Sequence, residues 1–307
     1  MLRVFVAGAS GAIGARLVPQ LLDRGHEVIG TSRSPGRAER LRALGAEPIV
    51  LDLLDAPAVG KAIVETKPDA IVHQATALAS LDDFKHFNRS FAQTNRLRTQ
   101  GTDALLAAAQ AARVGCFVAQ SFASRRYARQ GGPVKTEQDP FDPTPVPAMR
   151  QTEAAMEYLD QVVTGAGGIA LRLRQPLRRL RRRTRRGRAH PKVPDRRRRR
   201  WRLVVHPPRG RRRRDRARAR PQRPPGIYNI VDDEPAPTGE WLPALARIVG
   251  AKPPLRFPRL LARLFAGEAP VVMGTESRGA SNAKAKRELG WTLRYPSWRQ
   301  GFVDAYT

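Results

Sequence analysis

Short apolar runs alternate with amphipathic stretches through the first half of the chain. Leu2 to Ala7 (LRVFVA) is apolar and partly β-branched, the pattern of a buried strand, and Ala15 to Arg24 carries helical periodicity. His26 to Gly30 (HEVIG) predicts a second strand, followed by a loop and helix over "TSRSPGRAERLRALG". Glu47 to Leu51 (EPIVL) predicts a third strand closing on Asp52, then a helix over Ala58 to Thr66, and "PDAIVHQATA" a fourth strand. "NRLRTQGTDALLAAAQAARVG" predicts one long helix, and "CFVAQSFAS" a fifth strand ending in hydroxyls. This alternation predicts an α/β fold, a doubly wound parallel sheet that binds ligands at the carboxyl ends of its strands. Gly8, Ser32, Asp52, Gln74 and Ser121 all fall at such ends.

The first of these ends carries the clearest chemistry. "GASGAIG" sets Gly8, Gly11 and Gly14 three apart, between a strand and a helix. Glycines let the backbone approach a pyrophosphate, and the helix N-terminus offers free N–H groups and the positive end of a dipole. The turn residues Ser10, Ala12 and Ile13 join the glycines as candidate cofactor contacts. At the end of the second strand, Thr31-Ser32-Arg33 has no acid to hold the ribose of NAD, and an arginine there suits the extra phosphate of NADP. NADP or NAD is therefore expected, with a lean to NADP; Arg33 read as a solvated loop charge stays open. Asp52 either holds the adenine edge or caps the next helix.

Charge alters this picture in one place. The chain holds 56 Lys and Arg against 27 Asp and Glu, a net +29. Between Leu173 and Pro224 stand 25 basic residues and two acids, Asp195 and Asp215, which leaves only +6 for the rest. No apolar run approaches the roughly 20 residues of a membrane span. The single Cys116 suits a reducing compartment. Met1 leads straight into an apolar strand rather than a signal peptide, so a cytoplasmic location without membrane or metal is expected.

The "GASGAIG" turn, "LDLLD", "VHQATA", the helix containing Asn95, and "QSFAS" together resemble the extended short-chain dehydrogenase/reductase family, also called the NAD-dependent epimerase/dehydratase family. "GIYNIVDDEPAP" from Gly226 and "ASNAKAKRELGW" from Ala280 resemble its late strand and C-terminal helix. The resemblance implies a dinucleotide-binding Rossmann domain over 1–172, and a last sheet strand with a small C-terminal substrate lobe over 226–307. It implies hydride transfer on a sugar nucleotide or similar hydroxyl or carbonyl compound, and it allows a homodimer. It also adds Leu53, Gln74, Ala75 and Asn95 to the cofactor contacts, and places His73 beneath the cofactor, where packing outweighs catalysis.

The family's acid/base work belongs to a Tyr with a Lys four residues on, one turn apart on a helix face. Aligned on "AAMEYL", the resemblance puts Met149 and Glu153 at those two positions. None of the five tyrosines (127, 158, 228, 295, 306) has a lysine four residues later. Ser121 and Ser124 are left as candidates for the orienting hydroxyl, and Tyr127 as a substitute acid or a packing residue. A dinucleotide-binding sensor or scaffold without turnover is the alternative to an enzyme.

Residues 173–224 interrupt the resemblance, and three readings compete for them. A nucleic-acid-binding insert fits the charge, but the segment has 24 Arg to one Lys (Lys192) and a lone aromatic, Trp201. A disordered linker fits the self-repulsion of a +23 segment, but falls where a sheet strand and part of the lobe belong. The third reading is a shifted frame. Read one base on with suitable synonymous codons, Leu173 to Arg178 becomes Tyr-Gly-Asn-Leu-Tyr-Gly. Leu203 to Arg211 likewise becomes Trp-Ser-Phe-Ile-His-Leu-Glu-Asp-Ala. Both resemble family segments in their expected order. The shifted frame, entered near Arg172 and left near Pro224, is favoured because it explains the Arg bias and the sharp borders together. Taken as written, the segment is expected to be irregular or disordered, and nucleic acid is not expected as a partner unless the tract is genuine.

Overall fold

A computed structural model describes residues 1–78, 86–123, 127–128, 130–173, 223–255 and 258–306. The expectations for Ser124 and for most of the Arg-rich segment lie outside the described residues.

The predicted strands form, and they join in one sheet. β1 (Arg3–Ala7), β2 (Glu27–Ser32), β3 (Glu47–Val50), β4 (Ala70–His73), β5 (Phe117–Phe122), β7 (Ile169–Leu173) and β8 (Gly226–Ile230) pair in the order β3-β2-β1-β4-β5-β7-β8. Every pairing is parallel. The order reverses between β1 and β4, the switch point where an open α/β sheet leaves a crevice for ligands. Two-residue strands β6 (Val134–Lys135) and β9 (Gly279–Ala280) form a separate parallel pair.

Helices cover both faces of the sheet. α1 (Gly14–Leu22) and α2 (Pro35–Arg42) pack a small core of Val4, Val6, Val18, Val28 and Leu41. α3 (Ala56–Thr66), α5 (Gln100–Ala111) and α6 (Arg150–Gly165) bury the larger one on the other face, around Phe5, Ile63, Ile71, Leu105 and Leu159. After β8 come α7 (Thr238–Ile248), α8 (Arg259–Ala266), α9 (Glu268–Thr275), α10 (Ala283–Leu289) and α11 (Trp298–Tyr306).

Two local expectations are corrected. The long helix expected from Asn95 onward is two helices, α4 (Phe87–Arg98) and α5, broken at Thr99 with φ −97° and ψ −86°. The Thr99 hydroxyl donates back to Asn95 O at 3.1 Å, a local bond that competes with the helix ladder, and Gly101 follows. The cap of α3 is Asp55, whose Oδ1 accepts from Ala58 N–H at 3.1 Å, so Asp52 is not that cap.

Candidate active site

The glycine turn is built for close approach. Gly8 has φ +82°, and a Cβ placed there would stand 2.6 Å from Ala75 Cα and 2.7 Å from Ala75 N. A Cβ on Gly14 would stand 2.4 Å from Ala9 O and 2.5 Å from Gly8 O. These two glycines are forced by the fold itself. Gly11 is exposed, and its missing Cβ leaves the outer side of the turn open, where a pyrophosphate needs the backbone. Ala12 is exposed beside it, and Ile13, the N-cap of α1, sets no side-chain acceptor against the helix start, although Ala15, Arg16 and Leu17 N–H already donate to Gly11 O and Ile13 O. The donor set and the cradle therefore fit a dinucleotide.

The end of β2 holds this turn in place. Gly8 N–H donates to Thr31 Oγ1 at 3.1 Å, and Ser10 Oγ lies 3.0 Å from Ser32 Oγ. Arg33, next along, is exposed. The Asp52 side chain accepts from Leu54 N–H at 3.1 Å and is exposed at the end of β3, whereas the Leu53 side chain is buried in the core. Gln74 is buried with Oε1 making no hydrogen bond, and its N–H donates to Ala7 O at 2.8 Å. Asn95 Nδ2 donates to Thr152 Oγ1 at 3.1 Å and ties α4 to α6.

His73 is enclosed. Its Nε2 lies 3.2 Å from Leu97 O, and burial pulls its pKa down to about 4, so at neutral pH the ring is uncharged and packs under the sheet end. Tyr127 is fully buried, with its ring 4.8 Å from that of Phe141. Burial raises its pKa, opposed by the nearby Arg172 guanidinium. Ser121 is buried, in register with Arg172 of β7, and its Oγ makes no hydrogen bond.

Beside β5 and the start of α6 lies a narrow apolar cleft, largely filled by its own side chains, with room inside for little more than a water. Phe87 and Phe91 from α4, Met149 from the start of α6 and Met273 from α9 form its apolar walls, with Arg98 and Gln120 among its polar lining. Gln120 and Phe122 face it from β5, and strand alternation turns Ser121 to the opposite face. Met149 is buried at the N-cap of α6, and Glu153 is buried one turn on, in the first turn of the helix. The sequence reading missed Phe87, Phe91, Arg98 and Met273. Only the i, i+4 spacing of the two phenylalanines was a usable signal.

The comparisons with known proteins bear directly on this arrangement. Residues 4–161 match the NAD dependent epimerase/dehydratase family, and a Streptomyces protein is 37% identical over 98% of this chain and 99% of its own length. The chain belongs to the NAD-dependent epimerase/dehydratase family. That Streptomyces relative is named a 3-diazoavenalumate denitrifying reductase. Among solved structures, the UDP-glucose 4-epimerase of Thermus thermophilus, crystallised with NAD, superposes with a TM-score of 0.64 over 98% of this chain and 96% of its own, at 20% identity. WbmG of Bordetella bronchiseptica, also crystallised with NAD, gives 0.63 over 99% and 94%, at 18% identity. At those identities the structures share the fold. Like other members of this family, the chain is an oxidoreductase of the epimerase/dehydratase type built on a Rossmann sheet. Among the described residues no helix is long and apolar enough to cross a membrane, and no cluster of His, Cys, Asp or Glu is arranged to hold a metal.

Proposed function

We propose that this protein is a nicotinamide-dependent reductase whose acceptor is an electrophilic carbon that needs no proton from the protein, with an aryl diazonium group as the fitting case. The observation that carries this is Met149. A thioether, which can neither give nor take a proton, lines the cleft at the position the family resemblance gives to the acid/base tyrosine. Glu153 stands one turn on, in place of the cation that would lower a tyrosine's pKa.

The sugar nucleotide, or other hydroxyl or carbonyl compound, implied by family resemblance asks for a proton donor at the reacting oxygen. A diazonium carbon asks for none. The bound nicotinamide supplies a hydride, and at such a carbon the new C–H bond forms as the C–N bond breaks and its electron pair leaves with dinitrogen. The name of the Streptomyces relative points the same way, and its similarity spans nearly the whole of both chains.

In this reading Gly8, Ser10, Gly11, Ala12, Ile13 and Gly14 hold the pyrophosphate. Asp52 and the Leu53 backbone hold the adenine edge, while Ser32 and Arg33 meet the ribose and, in NADP, its phosphate. Gln74, Ala75 and Asn95 flank the half of the cofactor that crosses β4 towards the cleft. The substrate is a small molecule of the cytoplasm.

Met149 and Glu153 also favour a second reading, a dinucleotide-binding sensor or scaffold without turnover. Oxidation of NADPH or NADH followed at 340 nm, with an aryl diazonium salt and separately with carbonyl compounds, distinguishes the two. Turnover on the diazonium alone supports the reductase, and cofactor binding without any turnover supports the sensor.

A further inference from the structure

The sequence of α8, RLLARLFA, has the pattern of a helix with one buried face. Leu260 and Leu264 stand four apart, as do Leu261 and Phe265, which sets all four on adjacent rows of one side. In the structure that side is open. Leu260 is 75% exposed, Leu264 70% and Phe265 78%, and Leu261 is exposed beside them. No residue of α8 is buried, and only the small Ala262 is half-buried. The helix packs on α9, to which Gly267 joins it at φ +85°. A helix held in place thus turns its large apolar side chains to solvent. Such a stripe exposes roughly 400 Å2 of apolar side chain, within the range where a patch on a soluble protein marks a contact site.

Charge decides what covers it. Arg259 Nη2 pairs with Glu276 Oε1, and Arg263 Nη2 lies 3.6 Å from Glu268 Oε1. Both cations of α8 are matched within the chain, which leaves little surplus there to draw in a phosphate-bearing surface or an acidic partner. A second copy of this chain brings the same neutral border and the same apolar stripe. Related by a twofold axis, two α8 helices run antiparallel, with Leu260 of one copy near Phe265 of the other along about 12 Å of helix. Together they cover roughly 800 Å2 of apolar side chain, and the bordering Arg and Glu side chains carry the total to about the 1,000 Å2 that a specific association needs.

We propose that α8 is a self-association surface, on which two copies of this chain pair through Leu260, Leu261, Leu264 and Phe265. Because α9 carries Val272 and Met273 into the apolar cluster around Phe87, the pairing braces the outer wall of the cleft. A contact of this size is weak, with a dissociation constant on the order of 10 µM. Each chain carries a net +29, so like charge opposes the pairing and added salt, by screening it, strengthens it. Binding to an anionic polymer or lipid surface has the opposite salt dependence.

Sedimentation velocity on the full-chain protein, from about 1 to about 100 µM and at two salt concentrations, tests this. The mass rises from one chain to two across that range, and does so at lower protein concentration in the higher salt. Leu264→Glu with Phe265→Glu sets two charges on the stripe and raises the dissociation constant at least about tenfold. Both side chains are exposed, so the thermal melt of this variant matches that of the parent. Val64→Glu, at an apolar residue 58% exposed on α3, leaves the pairing unchanged. Hydrogen exchange gives a second readout that needs no variant: the amides of 259–266 exchange more slowly as the protein is concentrated. A single-chain mass at every concentration overturns the proposal. So does pairing that survives the double substitution, or pairing without slowed exchange in 259–266. If the mass stays that of one chain while vesicles of anionic phospholipid bind the parent and not the double variant, the stripe belongs to lipid and the proposal falls.

Discussion

Arg172 at the end of β7 and Asp160 on α6 form a buried ion pair, with Nη2 and Nε of the arginine 2.8 and 2.9 Å from the same carboxylate oxygen. The guanidinium also lies 4.8 Å from the centre of the Phe141 ring. This pair joins the helix that begins at Met149 to the sheet strand in register with Ser121, so it fixes how the cleft wall meets the strand ends.

Removing one member leaves the other charge buried without compensation. Arg172→Met is expected to lower stability by about 3–5 kcal/mol. Asp160→Asn keeps the shape and is expected to cost a similar or smaller amount. Urea unfolding followed by circular dichroism measures both, and a change within experimental error in either variant contradicts a structural role for the pair.

Much of this fold was legible in the sequence, because its signals are local. The strand, glycine turn and helix over residues 3–22 read directly from spacing, and the contacts a Cβ would make at Gly8 and Gly14 show why. The break at Thr99 was not legible, because a helical pattern runs unbroken through a residue whose hydroxyl competes for Asn95 O. Asp52 and Asp55 are both capping residues by type, and only geometry selects Asp55. The cleft was hidden for a different reason. Phe91 and Met273 share an apolar cluster across more than half the chain's length, and no periodicity links them.

Gly8→Ala tests the cofactor cradle. The substitution sets a Cβ against Ala75 backbone at a positive φ, and both the overlap and the backbone strain act on the turn. Calorimetric affinity for NADP(H) and NAD(H) is expected to fall by about tenfold or more, with lowered stability. Gly11→Ala meets only Gly8 O, at 3.2 Å, so it is expected to spare the fold and weaken cofactor binding alone. Equal affinity in both variants and the parent protein would place the dinucleotide elsewhere.

His73 makes stability depend on pH. Its pKa is about 4 in the folded protein against 6.5 when exposed. Between those values the unfolded chain binds a proton that the folded one does not. The stabilisation is therefore complete above pH 6.5 and lost as pH falls towards 4, by an amount on the order of 3 kcal/mol. Denaturant midpoints at pH 7 and pH 4.5 should differ more in the parent protein than in His73→Gln, and identical pH profiles contradict this.

The coding DNA tests the Arg-rich segment. β7 and β8 pair in register from Ile169 opposite Gly226 to Leu173 opposite Ile230, so family-like sequence resumes at a defined sheet position on each side. Sequencing codons 165–230 from source DNA is expected to show a single-base insertion near Arg172 and a compensating change near Pro224. If the arginine codons are confirmed and the shifted frame lacks Tyr-Gly-Asn-Leu-Tyr-Gly, the tract is genuine. Nucleic-acid affinity that falls with salt and disappears on deleting 173–224 then becomes the expected property.

The central claim is hydride transfer without a protein proton donor, and one measurement addresses it most directly. The protein is incubated with an aryl diazonium salt and nicotinamide cofactor carrying deuterium at the transferred position, against a blank without protein. Deuterium should appear in the arene with one dinitrogen released per cofactor oxidised, at a rate that Met149→Ala lowers less than tenfold. Carbonyl reduction should stay at background until Tyr and Lys are installed by Met149→Tyr with Glu153→Lys. Cofactor that binds yet is not oxidised above the blank, or interconversion of UDP-glucose and UDP-galactose by the unmodified protein, would contradict the account.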